Sequence, residues 1–306
     1  MLVFAASDKG GTGRSVTSVN VCYRRAITGG DVCYVDFDFG SPTAGAIFEV
    51  SGLAHGTPDA DGLHSYLHGE VTEPRQVDVW AESDRSGLRD RPAGAGRLAL
   101  LPGDLGGGEF PAEPAMVNRC VELFLRLAGE FEFCLVDLSA GRSYATELVL
   151  AATADPALRG VVSRWLVFHR WTPQHIIAAS GLVFGDNGIV AVGSALKHDR
   201  AALERSVRFV RTAVVDPRSP ELAGLRPAQV SWLHERNAEL KQLAGRLGVG
   251  RTAMIGEVPL DPVLQWREQI ISDNDVWPHD IANAGTLAAF EALAGRLVDD
   301  SAWETL

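Results

Sequence analysis

The sequence has few cysteines, no excess of positive charge and no long apolar run, and each of these absences argues against a class of protein. Its four cysteines show no paired C-x-x-C spacing, which argues against iron–sulfur and other clustered-thiolate sites. The net charge of −11 argues against sequence-independent attraction to nucleic acid or anionic membrane, although a local basic face stays open. No signal peptide is visible, and we find no apolar stretch near the ~20 residues that span a bilayer. We therefore expect a soluble, cytoplasmic protein.

The sequence does contain short apolar runs that alternate with longer segments of helical period. This alternation over 306 residues predicts an α/β fold, with a doubly wound, mainly parallel sheet of seven to eight strands and helices on both faces. We expect residues 1–306 to form a single domain. The predicted strands are Leu2–Ala6, Val32–Asp36, Leu98–Leu101, Phe133–Asp137, Trp165–Phe168, Ile189–Val192, Val207–Val215 and Thr252–Ile255. The predicted helices lie near residues 14–29, 113–130, 143–153, 173–184, 199–206, 227–246 and 284–298.

The strongest functional signal is the run S-D-K-G-G-T-G-R-S over residues 7–15, between the first predicted strand and a helix. Glycines allow a tight turn whose backbone N–H groups form an anion-binding nest, and the following helix presents its N-terminus to the same point. The residues expected to bind phosphate are Gly10, Gly11, Thr12, Gly13, Arg14 and Ser15. The alternative is a glycine-rich turn that binds no ligand.

This loop departs from the usual pattern G-x-x-x-x-G-K-[ST] twice, because Asp8 replaces the first glycine and Arg14 replaces the lysine. It resembles instead the deviant Walker A pattern K-G-G-x-G-K-[ST] of the MinD/ParA ATPases, with Lys9 at the signature position. The resemblance implies that Lys9 acts catalytically by reaching across a homodimer to the partner's ATP.

Two strand ends supply the expected carboxylates. Asp36 and Asp38 follow one apolar run in a D-x-D arrangement, and Asp137 ends another. The resemblance implies that Asp38 positions the attacking water, and that Ser15, Asp36 and Asp137 hold Mg²⁺. The alternative for the first pair is a turn cap. After Asp137, Ser139 stands where the family usually has proline, which predicts a looser loop, and Gly141 is expected to bring an amide near the γ-phosphate.

A late segment, Ile255–Asp261, resembles the family's I-P-x-D segment beside the adenine, with Pro259 as the binding residue. The family's adenine-reading asparagine is not evident. The run 214–217 is expected in that region, so the base preference stays open.

Arg14 limits the function that the sequence predicts. Arginine keeps the charge of the usual lysine, but it is larger, planar and bidentate, so the lysine's geometry is disturbed. We expect an ATP-dependent switch that forms a dimer and recruits a partner protein, with slow or absent hydrolysis. The alternatives are a non-catalytic nucleotide-bound scaffold and a ParA-like DNA-partition ATPase.

The sequence gives few indications of the partner. A basic set is interleaved with acidic residues, which favours a solvated helix face over a DNA surface: Arg200, Arg205, Arg208, Arg211 and Arg218. The run Trp165–Trp171 is a candidate surface for protein contact. The acidic C-terminal run 298–306 would be repelled by anionic lipid, so membrane binding is not expected.

Overall fold

The computed structural model describes residues 1–89, 91–215 and 224–304, and within them eight strands form one sheet. The strands are β1 Leu2–Ala6, β2 Val32–Phe37, β3 Val77–Asp78, β4 Leu98–Leu101, β5 Phe133–Leu138, β6 Ser163–Arg170, β7 Val207–Val214 and β8 Met254–Pro259. Their order is β3-β4-β2-β5-β1-β6-β7-β8. Every neighbouring pair is parallel except β3 with β4, which confirms the predicted mainly parallel α/β sheet.

Helices connect these strands, and all seven predicted helices form. The α-helices are α1 Arg14–Ile27, α2 Ala44–Ile47, α3 Leu63–His68, α4 Val79–Glu82, α5 Pro114–Glu130, α6 Tyr144–Thr153, α7 Pro173–Phe184, α8 Ile189–Ala195, α9 Arg200–Arg205, α10 Pro227–Arg246, α11 Pro262–Trp266, α12 Asp273–Val276, α13 Ala284–Val298 and α14 Ser301–Glu304. Short 3₁₀ turns cover Pro156–Leu158 and Arg251–Ala253.

The sheet is buried on both faces, as its apolar strands predict. Leu2 and Phe4 of β1 point into one core, which α5, α6 and α7 cover. Val3 and Ala5 point into the other, which α1 and α13 cover. This alternation follows from the pleat of the strand, and it leaves β1 covered on both faces in the centre of the sheet.

One predicted strand is wrong. The run Ile189–Val192 forms helix α8, which packs against α6, α7 and α9 instead of joining the sheet. A short apolar run does not distinguish a buried strand from a buried helix, and here Gly188 in extended conformation begins a helix. Strand β3, the antiparallel edge strand, was not predicted because two residues carry no periodic signal.

The expectation that no stretch is long and apolar enough for a membrane span needs correction. Residues Pro173–Ala195 meet that test by length and composition, because they contain an 18-residue window with a mean hydropathy of 1.6. In the structure this stretch comprises α7 and α8, which are separated at residues 185–188, and part of it is buried in the protein. Core helices of globular proteins commonly pass the same test.

The four cysteines are all free and buried. Cys33 and Cys134 lie in β2 and β5, so they serve as small core residues, as their apolar surroundings predict.

Candidate nucleotide-binding site

The candidate site lies at the carboxyl end of β1, where the sheet's connections diverge. From β1 the chain passes through α1 to β2 on one side, whereas from β5 it passes through α6 to β6 on the other. Open α/β sheets bind their ligands in the crevice at such a point. The β2–β5 register sets Asp36 directly beside Asp137, so both predicted carboxylates reach this crevice.

The loop after β1 has the backbone geometry that its glycines predict. Gly11 and Gly13 have φ angles of 68° and 73°, in the left-handed region that glycine adopts without strain. Gly13 precedes α1, and its carbonyl accepts the first helical hydrogen bond from Thr17 at 3.0 Å. Residues 10–15 line a cavity of about 180 Å³ with Asp38, Ser41, Thr43 and Ala140. The predicted phosphate-binding residues are therefore brought together around one space.

Arg14, the first residue of α1, is buried and directs its guanidinium towards the ends of β2 and β5. Its Nε donates to one oxygen of Asp137, and its Nη2 donates to Asp38 at 2.9 Å. Nη2 also lies 3.5 Å from Ser15 Oγ, and Nη1 lies 3.4 Å from Ser7 Oγ. Arg14 thus links the phosphate loop to the carboxyl ends of β2 and β5.

The charges around Arg14 determine its ionisation. Burial alone would lower the pKa of Arg14, but the carboxylates of Asp137 and Asp38 raise it above its ordinary value. Burial raises the pKa of Asp38, and the guanidinium opposes that rise. The arginine is therefore a fixed cation at any pH at which the protein is folded.

Asp36 is nearly inaccessible to solvent and is held by backbone groups. One oxygen accepts a hydrogen bond from the amide of Asp38 at 3.3 Å, and the other accepts from the amide of Ala44 at 3.1 Å. Burial, and then the charge of Asp137, raise the pKa of Asp36 to about 8. Asp36 therefore fixes the segment after β2, which is also the turn-cap role left open by the sequence.

The residues expected to hold Mg²⁺ do not present a free set of ligands. Both oxygens of Asp36 accept backbone hydrogen bonds, and those of Asp137 accept from Arg14 Nε and, at 2.6 Å, from Tyr34 Oη. The guanidinium also approaches Ser15 Oγ, so a cation already lies among these groups. Mg²⁺ needs octahedral oxygen ligands at about 2.0–2.1 Å, and this arrangement does not fit that demand.

The loop after β5 is held more firmly than the sequence predicts. Ser139, at the usual proline position, donates to the carbonyl of Phe37 through its amide at 3.2 Å and its hydroxyl at 3.3 Å. Proline has no N–H to make the first of these bonds. The expected loosening is therefore wrong. Gly141, with a φ of 83°, donates its amide to the carbonyl of Ser7 at 2.7 Å.

A second cavity of about 250 Å³ continues from the phosphate loop towards the ends of β7 and β8. Pro259, the predicted base-side residue, lines it together with Gly11–Gly13, so the structure brings Pro259 to the loop. Glu268 lines both cavities. The two cavities are adjacent, as the phosphates and the nucleoside of one nucleotide would require.

Thr212 of β7 lines this second cavity and bonds to the phosphate loop, because its hydroxyl donates to the carbonyl of Thr12. The next residue, Ala213, has a φ of 50°, and the β7–β8 register shifts between Arg211 and Val214. Such irregularities redirect side chains at functional edges of sheets. Of the run 214–217, Asp216 and Pro217 lie outside the described residues.

Lys9 is exposed at the rim of the loop and makes no ion pair with any residue that the structure describes. Burial, and then the charge of Lys9, lower the pKa of His175, which places the lysine near the start of α7. Neighbouring Asp8 pairs instead with Arg142 at 3.4 Å. The ammonium of Lys9 is thus available to a group outside this chain.

The basic residues do not form one surface. Arg200 pairs with Glu204 at 3.0 Å on exposed α9, as a solvated helix face predicts, and Arg205 is exposed near it. Arg208 and Arg211, however, are buried in β7, so that expectation is wrong for them. Arg218 lies outside the described residues.

The candidate protein-contact run is largely covered, whereas the acidic residues of the tail are exposed. Trp165 is buried, and Trp171 donates to Asn237 Oδ1 at 2.8 Å, so the run Trp165–Trp171 is not an open surface. In the tail, buried Trp303 lies beneath the guanidinium of Arg164, 4.7 Å from its ring centroid. Residues 305 and 306 lie outside the described part of the chain.

Several site residues were not predicted. Tyr34 could have been found, because it precedes Asp36 by two positions in a strand and so shares its face. Ser7 could also have been found, because it directly follows the apolar run that forms β1. Thr212 and Glu268 carried no local signal, since their place depends on how distant strands and loops pack.

The fold was compared with known proteins. No protein-family model matches the chain, and no curated protein matches it. Among solved structures, it is similar to the MinC:MinD cell division protein complex of Aquifex aeolicus, with 15% identity, TM-score 0.60 and coverage of 97% of this chain and 95% of that one. A candidate plasmid partition protein of Borrelia burgdorferi B31 bound to AMPPNP has 11% identity, TM-score 0.62 and 96% coverage of both.

The septum site-determining protein MinD of Pyrococcus horikoshii, complexed with Mg-ADP, is 18% identical, with TM-score 0.55 and coverage of 98% of this chain and 96% of that one. The chain has the MinD/ParA-type P-loop fold. At these identities the similarity concerns the fold alone.

Proposed function

We propose that the chain is an ATP-binding switch of the MinD/ParA kind, which dimerises across the nucleotide and recruits a partner protein. The observation that carries this proposal is the phosphate-loop cavity, which shares Gly11–Gly13 and Glu268 with a second cavity lined by Pro259. The AMPPNP and Mg-ADP named for two structures of the same fold support a nucleotide as the ligand. We also propose that residues 1–306 act as a single domain in the cytoplasm.

The dimer is supported by the exposed side chain of Lys9. A lysine at the rim of a phosphate site, without an ion pair in the described part of its own chain, can contribute its charge to a phosphate held by a second copy. The MinC:MinD complex among the similar structures supports a protein partner, while the plasmid partition protein keeps the DNA-partition alternative. The burial of Arg208 and Arg211 disfavours a DNA surface built from the predicted arginines.

Slow or absent hydrolysis is supported by the position of Asp38. Its carboxylate, predicted to position water, is 2.9 Å from the guanidinium of Arg14. A carboxylate that neutralises a neighbouring cation is a weaker acceptor for the proton of an attacking water. The same contact favours the alternative of a nucleotide-bound scaffold without turnover.

The test is the light-scattering mass of purified protein with and without ATP, with phosphate release read in the same samples. A shift from monomer to dimer on adding ATP supports the switch, and phosphate release distinguishes it from the scaffold. Turnover at about 1 s⁻¹ or above would contradict slow hydrolysis. A constant mass with no retained nucleotide would contradict nucleotide binding altogether.

Lys9→Ala is the matched variant for the dimer. We expect it to bind nucleotide but to remain monomeric, because the side chain supports no described contact within its own chain. A Lys9→Ala protein that dimerises with ATP as the wild type does would remove the proposed role of Lys9.

A further inference from the structure

The guanidinium of Arg14 contacts two of the three residues expected to hold Mg²⁺, Asp137 and Ser15, and also the carboxylate of Asp38. It reaches an oxygen of Asp137 with Nε, and both Asp38 and Ser15 with Nη2. These contacts come from three separate parts of the chain: the ends of β2 and β5 and the first turn of α1. A divalent ion bridging the same oxygens would be placed against a fixed positive charge.

A lysine could not make this set of contacts. Its ammonium is a compact point charge, whereas the planar guanidinium carries five N–H donors in a fixed fork. Four contacts are described for these donors, to Asp137, Asp38, Ser15 and Ser7. The replacement at position 14 therefore changes the chemistry of the site and does more than change the length of one side chain.

The space for phosphate persists beside this cation. Arg14 itself lines the cavity of about 180 Å³ that residues 10–15 enclose. The guanidinium thus contacts carboxylates, and the same residue lines the phosphate space. A bound metal ion would have the same two neighbours, the acidic residues and the phosphates.

We propose that Arg14 is the resident cation of this site and takes the place of the metal, so that the chain binds nucleoside polyphosphate without Mg²⁺. The inference rests on the proposed nucleotide-binding function. The negative charge of the ligand is then met by the guanidinium and the loop amides, and the carboxylates of Asp38 and Asp137 balance the arginine when no ligand is bound.

The test is a fluorescence titration with N-methylanthraniloyl-ATP, in excess EDTA and again in excess Mg²⁺. We expect equal or tighter binding by the wild type in EDTA, because Mg²⁺ in solution competes with Arg14 for the triphosphate. Wild-type binding that requires Mg²⁺ would overturn metal replacement and leave the proposed function intact. No binding under either condition would instead contradict the proposed function itself.

Arg14→Lys reverses the expectation. The lysine ammonium cannot contact the oxygens of Asp137, Asp38 and Ser15 at the same time. We therefore expect Mg²⁺ to tighten nucleotide binding by this variant by about tenfold or more, equivalent to about 1.4 kcal/mol. Arg211→Lys is the matched control, since Arg211 is a buried arginine of β7 that lines neither cavity. It should bind like the wild type in both media. A Mg²⁺-indifferent Arg14→Lys protein would contradict the inference.

A second measurement keeps the inference testable if Arg14→Lys does not fold. Electron paramagnetic resonance of Mn²⁺ added to the wild-type protein with ADP should show only the spectra of free and ADP-bound ion. A stoichiometric Mn²⁺ signal immobilised by the protein would overturn the proposal.

Discussion

Two buried arginines, Arg14 and Arg211, differ in their surroundings. Arg14 meets two carboxylates, Asp137 and Asp38, and these raise its pKa against the effect of burial. Arg211, in β7, has one ion-pair partner among the described residues, the half-exposed Glu257 at 3.1 Å, and burial lowers its pKa. Its Nε has no hydrogen-bond partner among the residues described. The number of compensating groups, more than burial, distinguishes the site arginine from the packing arginine.

The largest effect is expected for Arg14→Met. Removing the guanidinium leaves buried Asp137 and partly buried Asp38 without their shared cation, and breaking a buried pair such as Arg14–Asp137 costs about 3–5 kcal/mol. Urea unfolding at neutral pH measures the loss of unfolding free energy. If Arg14→Met and Arg211→Met lose equal free energy, the comparison between the two arginines fails.

The next effect is the pH dependence contributed by His169, which lies in β6 beside Arg211. Burial, which is the main cause, and the nearby charge of Arg211 lower its pKa to about 4. Because the unfolded state takes up the proton first, this contribution is fully present above the unfolded pKa of about 6.5. It is lost as the pH falls through that value towards 4, by up to about 3 kcal/mol.

His169→Phe should remove this contribution. Its Nε2 has no partner among the described residues, so an apolar ring loses only the Nδ1 contact with the carbonyl of Arg170 at 3.1 Å. Urea unfolding of both proteins at pH 7.5 and pH 5 measures the difference. Parallel losses of unfolding free energy in wild type and variant on acidification would show that His169 does not titrate as described.

A smaller effect is expected for Tyr34→Phe on the Arg14 side. The hydroxyl of Tyr34 donates to Asp137 at 2.6 Å, and a buried hydrogen bond to a charged group contributes about 1.5–3 kcal/mol. Tyr66→Phe is the matched control, because its hydroxyl donates at 3.0 Å to a neutral acceptor, the carbonyl of Arg119. Chemical denaturation should show the larger loss for Tyr34→Phe; the opposite ranking would argue that Arg14 alone satisfies Asp137.

The smallest effect is expected for Arg211→Met. The variant loses the pair with half-exposed Glu257 and the stacking of the guanidinium 3.9 Å from the ring centroid of Trp171, each about 1 kcal/mol or less. Methionine preserves most of the packing volume. Thermal unfolding measures the change. A loss of unfolding free energy near that of Arg14→Met would mean that Arg211 stabilises the fold as much as Arg14 does.

The sequence predicted most of the fold because local patterns determine it. The apolar run of β1 and the carboxylates that end β2 and β5 were recognised as strands with functional ends, and the register then joined Asp36 to Asp137. The failure at Ile189–Val192 has a local cause, since four apolar residues satisfy both a strand and a helix.

The sequence predicted which residues form the site but not the hydrogen bonds that join them. Arg14 was recognised as a departure, yet its bond to Asp137 crosses 123 positions of the chain and depends on the packing of α1 against β5. The bonds of Ser139 likewise depend on β2 lying beside β5. Side-chain partners across a sheet follow from tertiary packing, which periodicity does not encode.

The two backbone bonds from Gly141 to Ser7 and from Ser139 to Phe37 join the loops at the ends of β1, β2 and β5. Both bonds join backbone groups of the chain itself, so the protein's own hydrogen bonds preorganise the crevice. An arriving phosphate therefore loses little of its binding free energy to the ordering of loops, and its association is limited mainly by diffusion and orientation.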